Sequence, residues 1–241
     1  RWLQGDQFDG VMNYLMSYAC WGFFGGSEIN RKMVGHWYDH GPEYFQTSAE
    51  GFAEKVEGLL TFYPRPAVLA QLNLLDSHDT ARAVNIFNGD KTALRLATVF
   101  QMTYPGAPSV YYGDEIGLPG GLDPDCRRAF PWDEHQWDAE QRAWFRGLIH
   151  LRNEHRALRD GDYVTLYAKD GVVAYLRRWE SETLVMVINN SAETHRPALP
   201  VKGALPDGTH LKALFGNGAA QVHSGRLDGL SLAPRSALVL G

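Results

Sequence analysis

The apolar positions in the middle of the chain repeat with two different periods. Residues 68–75 and 107–112 are short apolar runs with strand character. Between them, apolar residues recur at the spacing of one helix face, which predicts a helix over residues 91–104 with Asp90 as its N-cap. A strand, a helix and a second strand in this order predict a β-α-β unit with parallel strands and a right-handed crossover.

Other segments extend this unit on both sides. Residues 8–14 favour a further strand of the same sheet, residues 25–41 a loop and residues 48–62 a helix. A sequence that resembles a capping box, Asp-Ala-Glu-Gln at 138–141, predicts a helix to about residue 158. Three parallel strands alone would leave unpaired edges, and parallel strands are normally buried on both faces. Residues 1–160 are therefore predicted to be part of a larger α/β domain.

After residue 161 the period of the apolar positions changes from that of a helix to that of a strand. Residues 165–169 and 172–178 flank Asp170-Gly171, which is a strong signal for a hairpin turn. Further short strands are predicted at residues 183–188, 209–215, 221–223 and 236–240. Residues 161–241 are therefore predicted to form an all-β C-terminal domain, a small antiparallel sandwich.

Composition and charge exclude several classes of partner. The net charge is −5 and no basic run occurs, so we exclude nucleic acid as a partner. No stretch approaches the roughly 20 apolar residues that a membrane span requires. The two cysteines, Cys20 and Cys126, show no metal-ligand spacing, and we expect neither a metal nor a cofactor.

Polar residues follow each of the three predicted parallel strands. These clusters are Asn13-Tyr14, His78-Asp79 and residues 111–115. Because the carboxyl ends of parallel strands carry the sites of α/β folds, three such clusters would meet in one pocket and favour an enzyme. The alternative for Ser77-His78-Asp79-Thr80 taken alone is a helix cap.

Four ordered segments carry a resemblance to a known family. Residues 74–80 (LLDSHDT) and 106–115 (GAPSVYYGDE) look like the strand-seven and strand-eight signatures of the α-amylase superfamily of glycoside hydrolases. Residues 5–14 (GDQFDGVMNY) and 123–132 (DPDCRRAFPW) look like segments of its maltodextrin-acting branch, which contains cyclomaltodextrinase, neopullulanase and maltodextrin glucosidase. Residues 2–4 (WLQ), 78–82 (HDTAR) and 128–132 (RAFPW) most resemble maltodextrin glucosidase.

The resemblance implies the C-terminal part of a (β/α)8 barrel, strands six to eight with their helices, followed by the β-sandwich. It also implies cleavage of α-1,4-glucosidic bonds of maltodextrins with retention, in which one carboxylate attacks the anomeric carbon and a second protonates the leaving oxygen. Asp79 matches the third carboxylate of the family, which stabilises the transition state. His78 matches a residue that donates a hydrogen bond to the same sugar.

The resemblance also implies that this chain is a fragment. The nucleophile and the general acid of the family belong to strands four and five, and no Asp or Glu here matches either motif. The resemblance gives Asp114 and Glu115 no such role, and we expect structural hydrogen bonds for both. We therefore predict that the chain alone is inactive and needs the first half of the barrel, supplied by the same chain or by a second one.

The starting residues and the cysteines give expectations about the natural protein and its location. The chain does not start with Met, so we expect the natural protein to begin earlier, and residues 1–6 lack the apolar segment of a signal peptide. Sparse cysteine usage fits a reducing compartment. With the branch of the family, this predicts a cytoplasmic protein.

Further residues are candidates for binding the glucan. Tyr14 is a candidate sugar platform, or it packs at the barrel rim. Arg82 is expected to keep Asp79 ionised or to contact substrate, or else to pair on the surface. Arg127 and Arg128 are expected to line outer sugar subsites, unless they form salt bridges that anchor a loop. Trp37 and Trp132 are further candidate platforms.

Two alternatives to a maltodextrin glucosidase stay open. The first is a cyclomaltodextrinase, a neopullulanase or a transglycosylase of the same superfamily, because the choice depends on the outer subsites as a whole and on any N-terminal module, which this sequence does not reveal. The second is a non-catalytic protein that binds carbohydrate or serves as a subunit of a transporter. His78 and Asp79 are both present in the expected motif, which disfavours the non-catalytic alternative.

Overall fold

The computed structural model describes residues 2–35 and 47–241. Its α-helices are α1 (Tyr14–Cys20), α2 (Arg31–Val34), α3 (Ala49–Phe62), α4 (Arg65–Ala70), α5 (Ala83–Ile86), α6 (Lys91–Thr103), α7 (Ala139–Glu154) and α8 (Arg156–Asp160). Its strands are β1 (Leu72–Asn73), β2 (Ala107–Pro108), β3 (Asp162–Lys169), β4 (Val172–Trp179), β5 (Glu182–Asn189), β6 (Leu199–Pro200), β7 (His210–Phe215), β8 (Ala219–His223), β9 (Arg226–Asp228) and β10 (Ser236–Leu240).

Three parallel segments lie side by side in the first part of the chain. β1 pairs with β2 in parallel, with Leu72 opposite Ala107. On the other side of β1, Met12 forms a parallel bridge with Leu72. The prediction that the segment around residue 12 belongs to the same parallel sheet as the β-α-β unit is therefore confirmed.

These strands are shorter than predicted, because neighbouring residues prefer helices. The apolar run at 68–75 was expected to be one strand, but its first part belongs to α4. Pro64 is the N-cap of α4 and Pro66 lies in its first turn, where a missing N–H costs no helical hydrogen bond. The segment 8–14 is likewise interrupted, because the Asn13 side chain accepts a hydrogen bond from the Met16 N–H (3.2 Å) and starts α1 at Tyr14.

The predicted helices are present, and one of them is broken by a tertiary contact. Asp90 and Ser48 cap α6 and α3 as side-chain acceptors. The helix predicted over residues 138–158 begins at its Asp138 cap but is interrupted at His155, which has an extended backbone. Glu182 of β5 accepts a hydrogen bond from the Ala157 N–H (2.6 Å) and therefore caps α8 as a separate helix.

The C-terminal part is one eight-stranded sheet in which every pair of strands is antiparallel. The strand order is β3-β4-β5-β10-β7-β8-β9-β6. The hairpin predicted at Asp170-Gly171 is present, and both residues have the positive φ that this type of turn requires. The sheet curves so that strands from both ends enclose one apolar core, to which Leu176, Val187, Val222, Leu227 and Leu240 belong.

The central strands of this sheet are buried on both faces. Along β4, Ala174 and Leu176 belong to the core inside the curved sheet, whereas Val173 and Tyr175 belong to the core shared with the helices of the first part of the chain. This explains why β4 and β5 lack the alternation of apolar and polar residues seen in half-buried strands. The Tyr175 hydroxyl also lies 2.5 Å from Thr103 Oγ1 at the end of α6. The two parts of the chain therefore share a continuous core.

Candidate active site

The loop that follows β1, residues 76–83, is held in shape by its own polar side chains. The Asp76 carboxylate accepts a hydrogen bond from the Ala83 N–H (2.7 Å), which closes the loop. Inside the loop, Ser77 N–H donates to Thr80 Oγ1 (2.9 Å) and Asp79 N–H donates to Ser77 Oγ (3.0 Å). Short polar side chains commonly replace backbone partners in this way in turns. The loop therefore presents its middle residues in a fixed orientation.

His78 and Asp79 project from the middle of this loop. Their side chains are 52% and 54% exposed, and His78 Nε2 lies 3.3 Å from Asp79 Oδ1. Both follow the carboxyl end of β1, as the sequence predicts. A half-exposed carboxylate beside an imidazole has free lone pairs and a ring N–H to offer to sugar hydroxyls.

Arg127 reaches the same loop from a distant segment. Its Nε donates to the His78 carbonyl (3.1 Å) and lies 2.7 Å from Asp123 Oδ1, and its Nη2 lies 3.9 Å from Asp79 Oδ1. His78, Asp79 and Arg127 thus form one charged cluster. The structure brings these three predicted site residues together, while their contacts with a glucan stay a prediction.

Tyr14 joins the cluster through its hydroxyl. The hydroxyl lies 2.9 Å from Ser77 Oγ, and the ring is stacked on Tyr18 with centroids 6.4 Å apart. Burial and the negative charge of Asp79 raise the pKa of Tyr14, against the hydrogen bond with Ser77, which lowers it. Tyr14 is therefore neutral. It is the first residue of α1 and lies beside the loop of residues 76–83, which we call the site loop.

Arg82 requires a correction of the sequence-based prediction. Its side chain is fully buried and so has no face to offer to a sugar or to a surface partner. Its Nε donates to the Cys126 carbonyl (2.8 Å), and its Nη1 donates to the Tyr112 carbonyl (2.5 Å) and lies 3.5 Å from Asp114 Oδ1. These bonds place Arg82 beneath the site, where it joins loops rather than binding substrate.

Arg128 forms a salt bridge that anchors its loop, which was one of the two alternatives that the sequence left open. Its Nε and Nη2 both lie 2.8 Å from the Asp125 carboxylate, which also accepts the Gly121 N–H (2.6 Å). The Arg128 guanidinium lowers the pKa of Asp125. The Tyr112 hydroxyl donates to the Arg128 carbonyl (2.9 Å). A contact between the half-exposed guanidinium and an outer sugar stays a prediction.

The predicted aromatic platforms have different outcomes. Trp132 is 84% exposed, and its ring lies 4.9 Å from that of Phe130. The neighbouring Trp137 donates from its indole N–H to the Pro131 carbonyl (2.6 Å), which holds this segment in place. Trp132 therefore has a free ring face, and sugar stacking on it stays a prediction. Trp37 lies outside the described residues.

Three polar residues are buried beneath the site, and sequence reasoning missed the roles of two of them, Asp76 and Ser77. Asp76, Ser77 and Asp114 are 1%, 3% and 6% exposed. Burial, and then the charge of Asp76, raises the pKa of Asp114 well above its usual range. The signal that could have found Asp76 and Ser77 is a run of short polar residues directly after an apolar strand. As predicted, Asp114 is structural, and Glu115 also has a structural bond because it accepts the Gly113 N–H (2.7 Å).

Within residues 2–35 and 47–241, no group of three or more His, Cys, Asp or Glu side chains is arranged to hold a metal ion. Over the same residues, none of the helices combines the length and the apolar character needed to cross a bilayer.

The chain matches two known families along almost its whole length. The family described as the α-amylase catalytic domain matches residues 1–157, and the family described as the neopullulanase-like C-terminal domain matches residues 163–240.

Individual relatives agree with these matches. The chain is 41% identical to a cyclomaltodextrinase from a Bacillus species and 36% identical to neopullulanase 2 from Thermoactinomyces vulgaris, over 80% and 83% of its length. The native debranching enzyme of Nostoc punctiforme superimposes on all of the chain with a TM-score of 0.90 and 39% identity. The chain covers 32% of each of the two curated relatives and 49% of the solved structure.

Proposed function

We propose that this chain, which belongs to the α-amylase family of glycoside hydrolases, is the C-terminal part of an enzyme that cleaves α-glucosidic bonds in α-glucans with retention. The observation that carries the proposal is the cluster of His78, Asp79 and Arg127 with the Tyr14 hydroxyl, all at the carboxyl ends of parallel strands. Charged and polar groups that converge at this end of an α/β barrel are typical of catalytic sites.

Each residue of the cluster has a chemical task in this proposal. The Asp79 carboxylate accepts hydrogen bonds from sugar hydroxyls, and its negative charge stabilises the positive charge that develops on the sugar ring in the transition state. The His78 ring N–H donates to a hydroxyl oxygen of the same sugar. Arg127 binds the His78 carbonyl and approaches Asp79, so it keeps both side chains directed towards the sugar.

The remaining carboxylates are proposed to come from the first half of the barrel. The surface of the parallel segments supports this, because Leu72 is 43% exposed although its strand has a neighbour on each side. Val11, Met12 and Leu15 are also exposed beside it. Apolar side chains on the inner face and open edge of a parallel sheet need a cover. We therefore propose barrel strands one to five, from the same polypeptide or a second one, as the occupant of this face.

The proposal has two candidate substrates. The sequence motifs favour linear maltodextrins, as for a maltodextrin glucosidase. The relatives named cyclomaltodextrinase and neopullulanase favour cyclodextrins or pullulan at least as well. A comparison of the products that the full-length enzyme releases from maltotriose, a cyclodextrin and pullulan decides between them. A cytoplasmic location is proposed from the sparse cysteine usage and this branch of the family.

The decisive experiment replaces Asp79 in the full-length enzyme. Asp79→Asn keeps the shape of the side chain but removes its charge, so we expect kcat on the best α-glucan to fall by about 100-fold or more. The matched control is Asp162→Asn, because Asp162 is also an exposed carboxylate with an arginine partner, Arg65 at 2.9 Å, but lies in β3. This control should keep the kcat of the wild type. Near-normal turnover by Asp79→Asn would refute the proposal.

A further inference from the structure

Beneath His78 and Asp79 lie three buried charged side chains, Asp76, Arg82 and Asp114, which we call the charge clamp. They are 1%, 0% and 6% exposed. Asp76 follows β1 and Asp114 follows β2, so the clamp lies between two adjacent strand ends. Burial of charged groups is unfavourable unless they are paired and hydrogen-bonded. Their partners should therefore show what this arrangement holds.

Asp76 fixes the two ends of the site loop. Its carboxylate accepts the N–H of Ala83, the first residue of α5, at 2.7 Å. The loop between them carries His78 and Asp79. Because the loop is closed at its base by a buried hydrogen bond, its middle residues have little freedom to move.

Arg82 joins this loop to two other segments. Its guanidinium donates to the carbonyls of Tyr112 and Cys126, and its backbone N–H donates to the Gly120 carbonyl (3.0 Å). It also packs on the Tyr111 ring, with the guanidinium carbon 4.0 Å from the ring centroid. The segment that follows β2 and the segment around residues 120–126 are thus fixed to the site loop by one side chain.

A short path leads from the clamp to the exposed site. Arg82 binds the Cys126 carbonyl, and the Cys126 thiol in turn donates to the His78 carbonyl (3.3 Å). Arg127, the next residue, donates to the same carbonyl. A displacement of Arg82 would therefore move the backbone that carries the imidazole and the neighbouring Asp79.

We propose that Asp76, Arg82 and Asp114 are positioning residues that direct Asp79 and His78 towards the substrate without touching it. This inference rests on the proposed function. The clamp stabilises the orientation of the site rather than any bond to the sugar, so its loss should lower kcat more than it changes KM.

Arg82 is the cation that faces the two buried carboxyl groups of the clamp, with its Nη1 3.5 Å from Asp114 Oδ1. Burial and the charge of Asp76 raise the pKa of Asp114 well above its usual range, and burial also raises the pKa of Asp76. The Arg82 charge acts against both shifts, which makes the burial of the two carboxyl groups beneath the site tolerable.

A second buried arginine in the chain provides a matched control. Arg177 is also fully buried, and its guanidinium donates to the carbonyls of Thr103, Leu158 and Gly161. Thr103 is the last residue of α6, the helix that leads to the amino end of β2. Arg177 therefore lies at the opposite end of the parallel strands from the site, which is at their carboxyl ends. Lysine at either position keeps the charge but loses the geometry of the guanidinium.

The test compares Arg82→Lys with Arg177→Lys in the full-length enzyme, with maltotriose, a cyclodextrin and pullulan as substrates. We expect Arg82→Lys to lower kcat by about 10- to 100-fold, because small misplacements of catalytic groups have effects of this size. KM should change by less than about threefold. Arg177→Lys should lower the melting temperature about as much as Arg82→Lys does, but it should keep the kcat of the wild type.

Several outcomes would overturn the proposal that the charge clamp positions Asp79 and His78. Equal kcat values for Arg82→Lys and Arg177→Lys would show that Arg82 has only a structural role. If Arg82→Lys does not fold, Asp114→Leu replaces it, since leucine removes the polar link at similar volume. A wild-type kcat in Asp114→Leu would overturn the proposal, and a loss like that expected for Arg82→Lys would support it. If the wild type cleaves none of the three glucans, the proposed function is refuted, and the positioning role of the clamp is refuted with it.

Discussion

Around the ends of β1 and β2 the side chains that fix the structure are polar or charged, whereas in the C-terminal sheet they are aliphatic. The site loop depends on Asp76, Ser77 and Thr80, and on Arg82 beneath it. The curved sheet depends on a core of valines and leucines. Directional bonds hold exposed groups at a set angle, while non-directional apolar packing holds a shape without that precision. The difference shows why the candidate active site and the structural core use different chemistry.

The largest expected effect comes from a buried charge in the site region. Arg82→Met would leave Asp76 and Asp114 without their cation, so we expect the free energy of unfolding to fall by about 3–5 kcal/mol. Arg177→Met is the parallel change at the other end, where the partners are carbonyls, and should cost less. Urea denaturation of both variants measures the difference. Equal losses would mean that the two buried arginines contribute in the same way.

A slightly smaller effect is expected in the C-terminal sheet. Leu240 is fully buried in the core inside the curved sheet, and Leu240→Ala should lower the free energy of unfolding by about 2–5 kcal/mol through lost burial and the cavity that remains. Because this core is remote from the site loop, kcat of the folded variant should equal that of the wild type. A fall in kcat without unfolding would contradict the separation of the two regions.

The pH dependence of stability should differ between the regions. Burial and the charge of Asp76 raise the pKa of Asp114 in the folded protein, whereas the unfolded chain releases this proton near the usual pKa of about 4. The stability contributed by this proton is fully present below that pH and is lost as the pH rises towards the folded pKa, by about 1.4 kcal/mol for each pH unit.

Asp114→Asn removes this dependence, because asparagine does not titrate. Relative to wild type, the variant should therefore become more stable as the pH increases from about 4 to 7. Melting temperatures of both proteins across this range measure the effect. Curves that stay parallel would mean that Asp114 is ionised in the folded protein. Leu240→Ala, as a change in the apolar region, should give a curve parallel to that of the wild type.

The smallest expected effect concerns a helix cap that belongs to neither region. Asp138 caps α7 by accepting the Gln141 N–H (2.9 Å), and it also pairs with Lys91 (2.7 Å). Asp138→Ala should lower the free energy of unfolding by about 1 kcal/mol, with kcat unchanged. Thermal denaturation checks the loss, and a change in kcat would show that α7 is coupled to the site.

Local sequence signals predicted much of the architecture correctly. The caps at Asp90 and Asp138, the turn at Asp170-Gly171 and the longer strands of the C-terminal sheet follow from short-range patterns, whereas the short strands β6 and β9 were not predicted. The failures have a common cause. The helix in residues 65–70 and the break at His155 depend on proline placement and on a contact with Glu182, which periodicity does not register.

For the site, the sequence identified residues but not their partners. The motif that contains His78 and Asp79 determined the family, because chemistry of this kind depends on a few side chains at fixed spacing. Only the tertiary structure decided that Arg82 is buried while Arg127, forty-five residues later, reaches the site. The physical reason is that burial and pairing depend on which loops lie close together in space. The local spacing of residues along the chain does not specify those contacts.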